Sequence, residues 1–231
     1  MKIQTGRKFV HGIVHLFYPR LCEGCSKPLT YDEEVLCISC SLQLPKTGYQ
    51  DITDNETAIR FAGRAPIQYA SSLAYFTNDG LLQHLLHGLK YKNKKEIGIY
   101  LGKQLGYELE QTGWIKTIDM IVPVPLHKKK EAQRGYNQTF VIAEGMSEVL
   151  GLPVVSAIIR KRHTETQTHK TREQRVLNMH DAFEVVSKIE VGNKHILLID
   201  DVLTTGATLE SCANTLISAN AKISLATIGI V

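Results

Sequence analysis

The sequence predicts an α/β protein in which helices cover both faces of a parallel sheet. Between residues 69 and 231, strand patterns alternate with helical ones, and this alternation favours a doubly wound parallel sheet. The strand at 196–199 runs directly into two acids and a Thr/Gly turn, at the edge where such sheets bind ligands. Four of the five cysteines lie close together near the N-terminus and indicate a separate small module.

Length and composition are those of an ordinary globular protein. A chain of 231 residues with 43% apolar side chains suits one good-sized domain and a small appendage. The formal charge of +4 permits a phosphate-rich ligand or a nucleic acid but requires neither. We expect no membrane span, because no apolar stretch approaches the necessary length.

The N-terminal segment is basic and partly apolar. His11 and His15 interrupt its apolar residues, and no small-residue cleavage site follows, which argues against a signal peptide. Phe9, Ile13 and Leu16 fall at helical spacing instead. We therefore expect a short amphipathic helix here and place the protein in the cytoplasm.

Two cysteine pairs, Cys22-x-x-Cys25 and Cys37-x-x-Cys40, form the second strong signal. In a reducing cytoplasm such pairs can bring four thiolates into one tetrahedral shell, and zinc is the metal that this donor set favours. A closed four-sulfur site leaves no open position for chemistry, so its role would be structural. A redox pair or four ordinary thiols are the alternatives. We expect Cys212 to pack in the core as a small apolar residue.

These patterns divide the chain into three segments. Residues 1–45 hold the N-terminal helix and the zinc module, residues 46–68 are aperiodic and are expected to form a linker, and residues 69–231 form the wound domain. The expected strands of that domain are residues 69–76, 118–124, 154–159, 195–199 and 223–231. Its expected helices are a leucine-rich helix over 81–89 and three more over 96–111, 138–150 and 207–219.

The loop after the strand at 196–199 has the chemistry of a phosphate site. Its threonine hydroxyls, the tight turn that Gly206 permits and the amides that open the next helix all favour a bound phosphate. The adjacent Asp200 and Asp201 would repel that phosphate unless they faced sugar hydroxyls or a divalent cation. This combination indicates a phosphorylated ribose, and the usual signatures for nucleoside triphosphates and dinucleotides are absent. A helix cap beside solvated acids is the alternative.

Three basic segments accompany this loop. Lys128 and Arg134 follow the strand at 118–124 and would neutralise a pyrophosphate if the two strand ends were neighbours. Residues 160–175 are rich in cations, so they could close over such a ligand or contact a polynucleotide. Residues 90–95 mix lysines with Tyr91, which suits a helix C-terminus or base stacking. A solvated basic surface is the alternative for each segment.

The segment 196–208 resembles the signature of type I phosphoribosyltransferases. The whole chain resembles the ComF family of competence-associated, phosphoribosyltransferase-like proteins. Beyond the cysteine pairs and the acid-acid-Thr-Thr-Gly loop, the motifs that carry this resemblance are Phe17-Tyr18-Pro19, Leu89-Lys90-Tyr91, Pro123-Val124-Pro125-Leu126, Arg134-Gly135-Tyr136-Asn137-Gln138, Arg162-x-Thr164-x-x-Gln167 and Arg175-x-x-Asn178.

The resemblance implies a type I phosphoribosyltransferase-like fold with a site for phosphoribosyl pyrophosphate and Mg²⁺. In such proteins the acid pair, here Asp200 and Asp201, contacts the ribose hydroxyls. The loop that holds the 5-phosphate would consist of Thr204, Thr205, Gly206, Ala207 and Thr208. The resemblance also implies a role in bringing transforming DNA into the bacterial cytoplasm, with single-stranded DNA and a helicase-like protein of the ComF operon as partners.

Two other functions remain open at this point. A non-catalytic protein would sense phosphoribosyl pyrophosphate or a nucleotide in the pocket, while the zinc module and basic segments hold DNA or a helicase. A purely structural zinc adaptor would depend on residues 1–45 alone. No acceptor substrate follows from the residues, so the enzymatic reaction is not assigned beyond phosphoribosyl transfer.

Overall fold

The computed structural model describes residues 19–160 and 182–231. The chain divides into two compact units, with the boundary between Leu44 and Pro45. The amphipathic helix expected in the N-terminal segment lies outside the described residues, and so does the basic segment at 160–175 beyond Arg160. None of the described helices is long and apolar enough to cross a membrane.

The smaller unit is built around the two cysteine pairs. An antiparallel bridge joins Leu21 and Pro28 across the first pair, and the second pair lies at the start of helix α1 (Ile38–Leu42). Its buried apolar side chains in the described part are Cys22, Leu29, Val35, Leu36, Cys40 and Leu44. A core of this size rarely folds a segment without a metal or another cross-link.

The larger unit alternates strands and helices along the chain. Its strands are β1 (Ile67–Tyr75), β2 (Met120–Pro123), β3 (Ile158–Arg160), β4 (Phe183–Val185), β5 (His195–Leu203) and β6 (Lys222–Ile230). Its helices are α2 (Glu56–Ile59), α3 (Leu81–Tyr91), α4 (Lys95–Glu110), α5 (Lys128–Arg134), α6 (Gln138–Leu150), α7 (Lys188–Val191) and α8 (Ala207–Ile217). Short 3-10 helices lie at Tyr49–Asp51 and Trp114–Thr117.

Four strands form a parallel sheet in the order β1-β6-β5-β2. The central strands β5 and β6 are buried almost throughout, which explains their continuous apolar runs. Helix α8 packs on one face, where Leu209 and Cys212 join the cluster that contains Ile196 and Leu198. Helices α4 and α6 pack against each other and against the sheet. The predicted doubly wound parallel sheet is confirmed, and Cys212 is a core residue as expected.

The strand expected at 154–159 does not join the main sheet. Val154 makes only an isolated parallel bridge with Ile121, and the chain then leaves the sheet edge. The last residues of the apolar run form β3, which pairs with β4 in an antiparallel ladder. A local apolar pattern indicates a strand but not its partner, and here the partner comes from a distant part of the chain.

Residues 46–68, which we expected to form a linker, carry ordered elements and belong to the larger unit. Asn55 caps α2 by accepting from the Ala58 N–H, and its amide donates to the Ala70 carbonyl oxygen at 2.6 Å. Phe61 is buried in the cluster that also contains Leu203. One capping Asn and one buried Phe leave no periodic pattern, so sequence periodicity does not reveal them.

Helices α4 and α6 approach each other at backbone distance. Gly98, Gly102 and Gly106 recur every fourth residue on α4, and each faces atoms of α6. A Cβ on Gly102 would overlap the backbone carbonyl group of Ile142. Glycine therefore fixes the separation of this helix pair, because any larger side chain would push the two backbones apart.

We expect Gly102→Ala to destabilise the protein by about 1–3 kcal/mol, because the new methyl group meets backbone atoms that cannot yield without separating the helices. Gly113→Ala is the matched control, since Gly113 has helical backbone angles and no neighbouring atom within 4 Å of an added Cβ. The control should be neutral or slightly stabilising. Urea unfolding of both variants measures the difference, and equal stability would contradict the close helix approach.

Candidate functional site

The acid pair lies where β5 extends beyond its neighbour β2. The last paired residues of the two strands are Pro123 and Ile199, whereas β5 continues along β6 through Asp200 and beyond. Val124 donates its N–H to the Ile199 carbonyl oxygen at 2.9 Å, which ends the pairing on the β2 side. Asp200 and Asp201 therefore lie at the carboxyl end of the sheet, next to the segment that follows β2, as the sequence predicted.

Asp201 is buried and is held by side chains from two helices. The Nζ of Lys90, near the end of α3, lies 2.7 Å from its Oδ2. The Nε2 of Gln138, the first residue of α6, donates to the same oxygen at 3.0 Å. With the Asp201 side chain only 10% exposed, these contacts rather than water satisfy its charge. Lys90 is thus a site residue, although its position at a helix end favoured a surface role in the sequence.

The pKa of Asp200 is raised above that of an ordinary aspartate. Its Oδ1 accepts the Asp201 N–H at 2.8 Å. Burial, and then the neighbouring Asp201 carboxylate, raise the pKa of Asp200 to about 8, against the opposing effects of that N–H and of Lys90. In the ligand-free protein Asp200 therefore holds a proton more readily than an ordinary carboxyl group, and a cation or hydroxyl donors would favour its ionised form.

The loop at 204–208 joins β5 to helix α8. Thr204, Thr205 and Thr208 are exposed, so their hydroxyls are accessible to a ligand. Gly206 has a φ of +76°, and an added Cβ would lie only 3.1 Å from the Phe61 ring. The left-handed turn at Gly206 leads into the first amides of an 11-residue helix, and this geometry suits a bound phosphate.

Two arginines that sequence analysis missed contact the carbonyl side of this loop. Arg60 Nη1 donates to the Thr204 carbonyl oxygen at 2.5 Å, and Arg64 Nη1 donates to the Thr205 carbonyl oxygen at 2.9 Å. Both belong to the segment that we expected to be a linker. Their spacing of four residues was the available signal, because it places two cations on one face of a helical turn.

Lys90, which contacts the acid pair, also lines an open cleft of about 390 Å³. Its lining residues are Lys90, Tyr91, Asn93, Lys130, Gln133 and Arg134. The three cations give the cleft a positive charge, and the Tyr91 ring is 70% exposed. The cleft therefore offers both charge for a polyanion and an aromatic surface for stacking.

A chain of polar contacts connects the cleft to the acid pair. Arg134 donates to the Oε1 of Gln138, whose amide donates to Asp201. The Arg134 guanidinium also lies over the Tyr91 ring, 5.7 Å from its centroid. The carboxylate of Asp201 is thus linked to two lining residues of the cleft, to Lys90 directly and to Arg134 through Gln138.

The basic segment after β2 forms a helix. Residues Lys128–Arg134 make up α5, and Gly135, with a φ of +83°, ends it. Arg134 reaches the cleft, whereas Lys128 at the other end of α5 is exposed and is not among the lining residues. The structure therefore brings Arg134 to the site and leaves Lys128 at its periphery.

The four cysteines of the smaller unit form a compact cluster. Their Sγ atoms all lie within 4.8 Å of one another, and those of Cys25 and Cys37 are 3.7 Å apart. A tetrahedral zinc site with Zn–S bonds of about 2.3 Å separates its sulfurs by about 3.8 Å. The donor set and spacing therefore fit a four-coordinate metal ion.

Backbone amides favour ionisation of one of these thiols. Burial opposes ionisation of Cys22, but N–H groups, with that of Cys37 foremost, lower its pKa to about 7. The Cys37 N–H lies 3.2 Å from the Cys22 Sγ. Burial and the neighbouring thiols raise the pKa of Cys40. The cluster thus starts from one readily ionised thiol, and a cation would favour ionisation of the others.

Comparison with known proteins agrees with this geometry. The model of the Phosphoribosyl transferase domain matches residues 137–231, which include the acid pair and the loop at 204–208. Competence protein F of Haemophilus influenzae is 32% identical over 140 residues, which cover 58% of this chain and 61% of that protein. The similarity to that relative therefore spans less than two thirds of its length.

Two further relatives extend the similarity. DNA utilization protein YhgH of Salmonella typhimurium is 29% identical over 215 residues, 87% of this chain and 92% of that protein. Competence protein ComFC of Bacillus subtilis is 34% identical over 98 residues, 42% of this chain and 38% of that protein. With the domain match and the parallel sheet, these similarities support a ComF-family, type I phosphoribosyltransferase-like protein.

Proposed function

We propose that this protein binds phosphoribosyl pyrophosphate with Mg²⁺ at the carboxyl end of β5 and acts in DNA uptake during natural transformation. The supporting observation is that the acid pair, the loop at 204–208 and the basic cleft meet around β5. They offer partners for the ribose hydroxyls, the 5-phosphate and the pyrophosphate of one ligand. The role in DNA uptake rests on the relatives named for competence and DNA utilization.

The loop at 204–208 would hold the 5-phosphate. The exposed hydroxyls of Thr204, Thr205 and Thr208 and the first amides of α8 donate hydrogen bonds to phosphate oxygens. The positive end of the helix dipole adds to this attraction. Ala207, the first residue of α8, contributes its backbone and leaves space for the ligand.

Asp200 and Asp201 would orient the ribose. Their carboxylates accept the sugar hydroxyls, and carboxylate and phosphate oxygens are also the ligands that Mg²⁺ prefers. When bound, Mg²⁺ neutralises charge on the pyrophosphate. Phosphoribosyl transfer builds positive charge at the anomeric carbon, so nearby carboxylates would stabilise that charge in the transition state more than in the ground state.

Cations around the cleft would take the pyrophosphate. Lys90 and Arg134 line the cleft and are already linked to Asp201, so a pyrophosphate there would lie beside the acid pair. Lys130 adds charge on the same surface, and Lys128 adds it from the start of α5. Stabilising the departing pyrophosphate in this way requires no nucleophilic side chain.

We further propose that single-stranded DNA contacts the same cleft and that a helicase-like protein is the partner in DNA uptake. The exposed Tyr91 ring offers a stacking surface for a base, and neighbouring cations offer contacts for the phosphates. A non-catalytic protein that senses the phosphoribosyl ligand while it holds DNA would use the same surfaces. Turnover with an acceptor distinguishes an enzyme from this sensor.

Zinc is the proposed metal of the smaller unit. Four thiolates in a closed tetrahedral shell suit zinc better than the harder ions that prefer oxygen ligands. The ion would fold a segment whose apolar core is small, and it would take no part in the chemistry of the larger unit.

Calorimetric titration with phosphoribosyl pyrophosphate and Mg²⁺ tests the pocket. We expect saturable binding, reduced at least about tenfold by Asp200→Asn/Asp201→Asn because the uncharged amides accept ribose hydroxyls and bind Mg²⁺ less well. The affinity should rise with pH towards about 8, as the proton that ligand binding must displace leaves Asp200. Asp119→Asn, which changes an acid beside His195 at the opposite end of β5, is the matched control and should bind normally.

Failure of folded wild-type protein to bind phosphoribosyl pyrophosphate would exclude the proposed pocket. Equal binding by wild type and the double variant would show that the ligand does not depend on the acid pair. If binding holds but no acceptor supports release of pyrophosphate, the sensor function is favoured over the enzyme.

Fluorescence anisotropy with a labelled oligothymidine tests the cleft. Tyr91→Ala should weaken binding roughly tenfold, because it removes a stacking surface. Lys130→Ala should weaken binding and lower its dependence on salt, because one phosphate contact is lost. Tyr107→Ala removes another exposed ring, from α4 outside the cleft lining, and should have no effect. Identical losses in Tyr91→Ala and Tyr107→Ala would contradict the assignment.

Metal analysis of purified protein tests the cysteine cluster. We expect one zinc ion per chain, lost in Cys22→Ser/Cys37→Ser and released by a mercurial reagent that titrates the thiols. Cys212→Ala removes a core thiol of the larger unit and should retain the zinc. Full zinc content in the double serine variant would show that the four cysteines are not the ligands.

A further inference from the structure

The carbonyl groups of the phosphate loop face two guanidinium groups. Arg60 contacts the carbonyl oxygen of Thr204, and Arg64 contacts the carbonyl oxygen of the next residue, Thr205. Consecutive peptide units of the loop are thus anchored by side chains that come from the turn that follows α2. The anchored units are the ones that lead into the left-handed turn at Gly206.

The planarity of the peptide bond converts these contacts into an orientation for two amides. In a trans peptide, the carbonyl group of one residue and the N–H of the next point in opposite directions. With the Thr204 and Thr205 carbonyl groups directed at the arginines, the N–H groups of Thr205 and Gly206 must project away from them. Neither N–H donates a hydrogen bond to another described residue. Two adjacent donors are therefore aimed out of the same face of the loop.

We propose that Arg60 and Arg64 are positioning residues for the 5-phosphate, which fix the amides of Thr205 and Gly206 as anion donors before the ligand arrives. This inference rests on the proposed function of the loop at 204–208. The arginines would preorganise the loop, because its peptides would not have to reorient when the phosphate binds.

The geometry requires guanidinium groups rather than simple positive charge. Arg60 contacts the Thr204 carbonyl oxygen, Glu56 at 2.8 Å and the carbonyl oxygen of Val231 with one planar head group. Arg64 contacts the Thr205 and Arg60 carbonyl oxygens and also reaches Glu210 in the first turn of α8. A lysine keeps the charge but cannot hold several acceptors in one plane, so each Arg→Lys change separates position from charge.

Calorimetry with two probes tests the proposal. Ribose 5-phosphate carries the group that the loop would hold, whereas magnesium pyrophosphate lacks it and binds through the cleft and the metal. We expect Arg60→Lys/Arg64→Lys to bind ribose 5-phosphate about tenfold or more weakly and magnesium pyrophosphate as wild type does. In selectively labelled protein, the amide signal of Gly206 should shift on addition of ribose 5-phosphate to wild type and should shift less in the lysine variant at the same ligand concentration.

The outcomes separate this inference from the proposed function. If wild type binds neither probe, the proposed function fails and the positioning role with it. If wild type binds ribose 5-phosphate and the lysine variant binds it equally well, charge alone is sufficient and the positioning role is wrong. If the lysine variant loses both probes together, the arginines support the fold in general rather than the phosphate loop.

Two further variants test whether the loss of an ion pair alone would reduce affinity. Lys194→Ala removes the contact between Lys194 and Asp119 at the opposite end of β5 and should leave the affinity for both probes unchanged. Glu210→Gln removes the ionic partner of Arg64 while it leaves the Thr205 carbonyl contact available. We expect it to lose less affinity than Arg64→Lys, and a loss as large as that of Arg64→Lys would overturn the role of the carbonyl contact.

Discussion

The unequal length of two paired strands is the constraint on which the candidate site depends. β5 pairs with β2 only as far as Ile199 but continues along β6, so Asp200 and Asp201 have a neighbouring strand on one side only. The space that β2 leaves is bordered by the segment that follows it, which carries α5 and the start of α6. The acids, the cations of the cleft and the loop at 204–208 meet because β5 extends further than β2.

The close approach of α4 and α6 also affects how Asp201 is held at the candidate site. Gln138 is the first residue of α6, and its amide binds Asp201. The glycine contacts between α4 and α6 set where α6 lies, and so where Gln138 can donate. Lys90 reaches the same carboxylate from α3, which connects through a short loop to α4. Helix packing thus determines how the charge of Asp201 is compensated when no ligand is present.

The two acids have different neighbours. Asp201 has a cation and an amide at its oxygen, whereas Asp200 has a carboxylate neighbour and a pKa raised to about 8. A pair in this state resists further negative charge until a cation or hydroxyl donors arrive. The proposed ligand brings both, since it combines a diol with phosphates that bind Mg²⁺. The larger unit would use this balance, while the cysteine unit would use metal binding only to fold.

Local patterns were sufficient for the strands of the main sheet, for the longer helices and for the candidate ligand groups. Apolar strands that alternate with amphipathic helices indicated the parallel sheet, and the doubled Cys-x-x-Cys spacing indicated the cluster that the structure forms. Both signals lie within short stretches of chain and obey known periods, so they need no tertiary information. The acid pair and the Thr/Gly loop could also be identified, because their residues are consecutive in the sequence.

By itself the sequence determined the fold class, the acid pair with its loop and the four sulfur donors. Tertiary structure alone decided which helices compensate the acid pair, where β3 pairs and that a segment without periodicity contacts the loop at 204–208. Lys90 and Asp201 are far apart in sequence, as are Arg60 and Thr204, and each contact is a single pair without a repeat. Such contacts arise from the register of the sheet and the packing of helices, which act between distant segments and leave no periodic trace in the sequence.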